Sequence, residues 1–178
     1  MEPIENYVIR DTSPADIPVL VDIIRNSFRE VALRFGLTEE NCPKHPSNCT
    51  TQWIGSALQD GARYFLLESG GNACGCVALE HPRPEVCYLE RLAVLPGYRA
   101  RGFGTALAEH VFSRARALGA NQVQIGIISD HKELKSWYKR IGFIETGRAR
   151  FEHLPFEVTF MSLSLELMEI KPPTFLEG

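Results

Sequence analysis

The sequence predicts a mixed α/β (α+β) domain, and three observations carry that expectation. Apolar runs at 63–69, 73–81 and 86–95 follow one another as strands, and Ser69-Gly70-Gly71-Asn72 supplies a hairpin turn between the first two. Ahead of them, Ile17, Leu20, Val21, Ile24, Phe28, Val31, Ala32 and Phe35 recur at helical spacing until Gly36 stops the run. Last, the apolar segment 88–95 leads through Arg99-Ala100-Arg101-Gly102-Phe103-Gly104 into a helical pattern beginning near Thr105. Strand, glycine-rich turn and helix then stand in succession.

In chain order, Tyr7-Val8-Ile9-Arg10 reads as a first short strand. Ser13 caps the first helix, with Pro14 at its opening position and Asp16 closing the cap. A loop rich in Pro, Cys and Asn spans 39–49, and Thr50 caps a second helix that runs to Asp60. After the three strands, Leu107, Val111, Ala115 and Leu118 line one helical face that ends at Gly119. A strand at 122–128 follows. Asp130 and Glu133 form a capping box for a helix at 131–141, and strands near 143–151 and 156–166 complete the order β-α-α-β-β-β-α-β-α-β-β. Cys74 and Cys76, two apart on a strand, are expected on one face of it, in the core. Residues 1–170 read as one domain and 171–178 as a flexible tail.

Composition narrows the classes. With 44% hydrophobic and 23% charged residues among 178, the chain has the balance of a globular domain. A net charge of −3 and a pI near 6.0 argue against a general nucleic-acid binder. No apolar stretch is long enough to span a membrane, and Met1-Glu2-Pro3-Ile4-Glu5 lacks a secretory pattern, so a cytoplasmic protein is expected. Five cysteines, an odd number, then read as free thiols.

On this acidic background, Arg99, Arg101, Arg114 and Arg116 face only Glu109 between residues 97 and 118. Glycines let the chain turn tightly and admit a ligand to the main chain, while a helix start adds positive potential. The 99–104 loop is therefore a candidate phosphate cradle. It is neither G-x-x-x-x-G-K-[ST] nor G-x-G-x-x-G, because Leu107 occupies the third glycine's place.

The pattern L-A-V-x-P-x-Y at Leu92–Tyr98, followed by R-x-x-G-x-G at Arg99–Gly104, resembles the pyrophosphate loop of the GNAT superfamily of acyl-coenzyme A N-acyltransferases. Downstream, Trp137-Tyr138-Lys139-Arg140-Ile141-Gly142-Phe143 is similar to that superfamily's L-Y-x-K-x-G-F element. The resemblance is strongest over 86–144. It implies a mixed, strongly twisted sheet flanked by helices, acetyl-coenzyme A as co-substrate, and a small-molecule or peptide amine as acceptor attacking the thioester directly. It also admits a homodimer. By the same resemblance, Leu92, Ala93 and Val94 offer main-chain contacts to the pantetheine arm, and Arg99, Ala100, Arg101, Gly102, Phe103, Gly104 and Thr105 hold the pyrophosphate. His131 stands where many relatives carry an asparagine that contacts the pantetheine.

An attacking amine must be neutral. For a lysine-like amine of pKa about 10.4, deprotonation at physiological pH costs about 4 kcal/mol. A carboxylate that takes the proton and an acid that serves the departing thiolate are thus the expected side chains. Glu90 interrupts an apolar strand and is the candidate base; regular alternation would put Tyr88, Glu90, Leu92 and Val94 on one face. Tyr138 is the candidate acid, since a phenol donates a hydrogen bond without leaving a fixed cation. A packing aromatic at 138 and an ion-paired carboxylate at 90 are the structural alternatives.

Cys42, His45 and Cys49 have C-x-x-H-x-x-x-C spacing, yet no fourth ligand follows, and no metal is assigned. Their loop, stiffened by Pro43 and Pro46, is expected to border the acceptor. His81, His110 and His153 form no constellation. The rival readings are a non-catalytic acyl-coenzyme A-binding module on the same fold, and an interaction protein organised by metal at 42–49.

Overall fold

The computed structural model describes residues 6–166. Strand β1 (Tyr7–Asp11) leads through a turn at Pro14–Asp16, where Asp16 Oδ2 accepts the Ser13 backbone N–H at 2.8 Å, into helix α1 (Ile17–Phe35). Gly36 ends α1 at φ 64, the left-handed conformation a helix stop demands. Thr50 Oγ1 accepts the Trp53 N–H and starts α2 (Thr51–Gln59). Strands β2 (Arg63–Ser69), β3 (Asn72–Arg83) and β4 (Val86–Val94) then form a meander. Helix α3 (Phe103–Ala117), β5 (Gln122–Ile128), α4 (Lys132–Arg140), β6 (Ile144–Arg150) and β7 (Glu157–Ser164) complete the order expected.

The strands make a single seven-stranded sheet in the order β1-β2-β3-β4-β5-β7-β6. Every neighbouring pair is antiparallel except β4 and β5. Alternation along β2 sorts the core into two layers. Phe65 and Leu67 pack with Leu107, Val111 and Phe112 of α3 on one face; Tyr64 and Leu66 pack with Leu20, Ile24 and Ile54 of α1 and α2 on the other.

Four expectations need correction. Helix α3 begins at Phe103, two residues before Thr105, because Gly102 (φ 80) is its N-cap. His131, not Asp130, caps α4: its Nδ1 accepts the Leu134 N–H at 3.3 Å. Cys74 and Cys76 are both buried but lie in opposite layers. Leu67 pairs with Gly75 and Glu68 with Ala73, so Cys74 is an extra residue in β3 and the alternation reverses there. The same thing happens in β4. Ala78 pairs with Glu90 but Cys76 with Ala93, leaving one residue too many, and Arg91 takes φ 49. Leu92 and Val94 consequently turn toward α3, while Glu90 and Arg91 both lie toward Tyr64 in the α1 layer. Tyr88, Glu90, Leu92 and Val94 do not share a face. The tail at 171–178 lies outside the described residues.

Candidate active site

Strands β4 and β5 pair only from Val86↔Gln122 to Tyr88↔Gln124, and then part. Beyond Tyr88, β3 still occupies one edge of β4, through Ala93 and Val94, while no strand among the described residues covers the other. An uncovered strand edge inside a fold carries N–H and C=O groups that want partners. The split opens a cleft of about 810 Å³, floored by β4 and β5 and walled by α1, the 42–49 loop and α4.

Glu90 and Tyr138 both line this cleft, from β4 and α4 respectively. Burial, reinforced by the charge of Glu80 on the neighbouring strand, pushes the Glu90 carboxyl up to about 7, with the adjacent Arg91 guanidinium opposing. Tyr138 is 5% exposed, packed edge-on against Trp137 and Phe143, and burial raises its phenol well above the ordinary value. Its hydroxyl has no hydrogen-bond partner among the described residues. At pH 7 the site therefore holds a carboxyl poised to take a proton and a phenol that keeps one.

The backbone of the 99–105 segment turns sharply and leaves donors open. Ala100 (φ 63) and Gly102 (φ 80) are both left-handed, and the N–H groups of Phe103, Gly104 and Thr105 at the start of α3 have no acceptor among the described residues. A Cβ on Gly104 would stand 3.4 Å from Trp137. The Arg99 side chain is engaged otherwise. It donates to Val94 O at 3.1 Å, Glu30 Oε2 at 3.0 Å and Ser27 O at 3.0 Å. Arg101 lies over the Tyr98 ring and donates to Gly97 O.

His131 and His45 face the cleft with neutral rings. Burial lowers both, His45 to about 4. Each accepts a backbone N–H at Nδ1, His131 from Leu134 and His45 from Ser47. That assignment leaves the proton on Nε2. Of the 42–49 loop, His45 and Pro46 line the cleft, while Cys42 and Cys49 are buried in separate core clusters. Among the described residues no group of three His, Cys, Asp or Glu side chains is placed to hold a metal ion.

The structure thus brings Glu90, Leu92, Ala93, Val94, Arg99, His131 and Tyr138 to one cleft; Ala100, Arg101, Gly102, Phe103, Gly104 and Thr105 are not among its lining residues, and Leu95 with a turn at Pro96–Tyr98 separates them from β4. Sequence reasoning missed Arg91, Arg34, Ser27 and Gln124 in its walls. Only Arg91 left a signal, as a second charge inside an otherwise apolar strand.

Among the described residues the mixed sheet splits at its one parallel pair, beside a helix start whose first N–H groups have no acceptor. The particular family follows from sequence: the chain belongs to the acetyltransferase (GNAT) family, whose model matches residues 22–143. It is 26% identical over 149 residues to an N-acetyltransferase of Methanocaldococcus jannaschii, itself described as uncharacterised, covering 80% of this chain and 62% of that protein. The fold is similar to that of the ribosomal-protein-S18-alanine N-acetyltransferase of Escherichia coli, with a TM-score of 0.69, 18% identity, and 90% and 94% of the two chains covered. A GNAT acetyltransferase of Elizabethkingia anophelis with acetyl-CoA bound gives a TM-score of 0.65 at 15% identity, covering 89% and 98%. The chain spans about 62% of the length of the archaeal relative it matches. Among the described residues no helix is long and apolar enough to cross a membrane.

Proposed function

We infer that the chain is an N-acetyltransferase that moves an acetyl group from acetyl-coenzyme A to an acceptor amine by direct attack. One observation carries this reading: β4 and β5 part after Tyr88, opening one cleft onto which an acidic and a phenolic side chain converge from different elements. Acetyl-coenzyme A supplies an activated thioester there. The uncovered edge of Leu92, Ala93 and Val94 suits the amide-bearing pantetheine arm, and the N–H groups of Phe103, Gly104 and Thr105 suit its pyrophosphate. The Arg99 side chain braces α1 instead of meeting phosphate, so the loop contributes mainly through its backbone. His131 lines the cleft with a proton left on Nε2, and offers a donor where the related asparagine would stand.

In this reading Glu90 accepts the acceptor's proton, directly or through water, and Tyr138 gives its proton to the departing thiolate. A carboxyl near 7 is matched to that work at neutral pH. Residues 1–170 act as one domain, which a single sheet running from Tyr7 to Ser164 supports. Cys42, Cys49, Cys76 and Cys87 are buried free thiols, which suits a reducing, cytoplasmic setting.

The test is thiol release from acetyl-coenzyme A over a panel of amines, repeated with Glu90→Gln and Tyr138→Phe. Enzymatic acetylation requires turnover by the wild type and large losses in both variants, with co-substrate affinity retained. Tight binding without turnover of any amine would leave the non-catalytic binding module as the better reading.

A further inference from the structure

We propose that the acceptor is a short amino carboxylate, its carboxylate held by Arg91 while its amine lies against Glu90. The inference rests on the acetyltransferase reading and names the substrate class of that same cleft.

The cations of the cleft are unequal. Arg34 donates twice to Glu133, at 2.9 and 3.2 Å, and Arg99 is saturated by Glu30 and two backbone carbonyls. Among the described residues Arg91 has only Glu90 as a side-chain partner, with Nη1 to Oε2 at 3.5 Å, the limit of a hydrogen bond. Its Nε is buried without a partner among those residues, and its side chain, which lines the cleft, is 23% exposed. A guanidinium carries five donors, and leaving them unfilled in a half-buried site is costly. The left-handed backbone at Arg91 adds to that cost, because a Cβ there crowds the following carbonyl. The bulge brings Arg91 onto the same side of the sheet as Glu90.

The exposed part of the Arg91 side chain therefore offers its terminal guanidinium nitrogens to a carboxylate from the cleft side, while the buried Nε stays out of reach. Beside it, the Glu90 carboxyl, with Glu80 behind it, draws the positive end of the same molecule. Positive and negative groups lie within one contact distance, so the complementary ligand is a zwitterion with its charges close together, as in an α- or β-amino acid. A diamine would set its second ammonium against Arg91 and be rejected. In the reaction the neutral amine nitrogen bonds to the thioester carbonyl carbon and the carbon–sulfur bond breaks. Before attack the bound ammonium gives one proton through Glu90 to solvent; after attack the nitrogen's second proton passes to Glu90, the thiolate takes one from Tyr138, and Glu90 returns its proton to Tyr138 through water. The carboxylate is unchanged.

The experiment compares amino acids, each beside its decarboxylated amine, by thiol release with the full chain and acetyl-coenzyme A. At least one amino acid should exceed its decarboxylated partner in kcat/KM by about 10- to 100-fold, the worth of a charged hydrogen-bonded pair. Arg91→Gln should narrow that ratio to a few-fold, chiefly through KM, and Arg91→Lys should restore part of it. Equal rates for decarboxylated partners would overturn the proposal, even if the variants fail to fold. If acetyl-coenzyme A binds but no amino acid is turned over, this inference alone falls; if acetyl-coenzyme A does not bind, the transferase reading falls with it.

Discussion

Arg99 joins Glu30 across the mouth of the cleft, Nη1 to Oε2 at 3.0 Å, and so ties α1 to the end of β4. The same guanidinium donates to Ser27 O and Val94 O, which makes the residue a brace between α1 and the end of β4.

Arg99→Ala should therefore cost stability, about 1–3 kcal/mol for the lost charged hydrogen bonds to backbone. Glu30→Ala should cost less than about 1 kcal/mol, since it removes one solvent-exposed partner and leaves both carbonyl contacts. Urea denaturation of the two variants checks this. Equal losses would mean that the carboxylate, and not the brace, matters.

Glu90 should leave its mark on two pH profiles. The folded chain keeps the Glu90 proton up to about pH 7, whereas an ordinary glutamate loses it near 4.5. Between those values the native state binds more protons, so this group's contribution makes stability fall as pH rises. Glu90→Gln should remove that decline, leaving the variant more stable than the wild type above pH 7 and no different below 4.5. In activity, wild-type kcat/KM should rise through about pH 7 as the carboxyl ionises. Glu90→Gln should lose that rise and about 10²-fold or more in rate.

Tyr138→Phe separates chemistry from packing. The hydroxyl makes no hydrogen bond within the described residues, so its removal should change unfolding free energy by less than about 1 kcal/mol. Turnover should nevertheless fall by about 10²-fold if the phenol serves the thiolate. An unchanged single-turnover rate would reduce Tyr138 to a packing ring against Trp137 and Phe143.

His45 acts with the opposite sign to Glu90. Its buried ring resists protonation to about pH 4, while in the unfolded chain it charges near 6.5. Its contribution to stability is thus complete above pH 6.5 and is lost as pH falls to about 4. Thermal melts of His45→Gln should show a shallower acid-side loss than wild type. The same variant should shift acceptor KM and leave co-substrate affinity intact, because His45 lies on the wall formed with α1 and packs against Phe28.

The layout of helices and strands was legible because local signals agreed: Gly36 at a helix stop, Gly70 and Gly71 at a hairpin, Thr50 at a cap. The bulges were not. Whether Arg91 or Cys74 is an extra residue depends on how many residues the partner strand places opposite, which no local pattern encodes. Arg91 carries no glycine to advertise its positive φ, so the reversal of faces at Leu92 was invisible. The candidate acid and base could be named from residue type and motif. The brace at Arg99 and the cap by His131 could not, since each depends on a side chain choosing a backbone partner over a ligand.

The central claim is that the split between β4 and β5, with the 99–105 turn, receives acetyl-coenzyme A. Titration calorimetry of the wild-type protein tests it most directly, with Gly104→Val as the comparison, because its Cβ would meet Trp137 only at ordinary contact distance, 3.4 Å, while its branches fill space beside the first turn of α3. The account predicts saturable binding by the wild type and a strong loss in the variant while its melting temperature stays near normal. Absence of any interaction between the wild-type protein and acetyl-coenzyme A at millimolar concentration would contradict it.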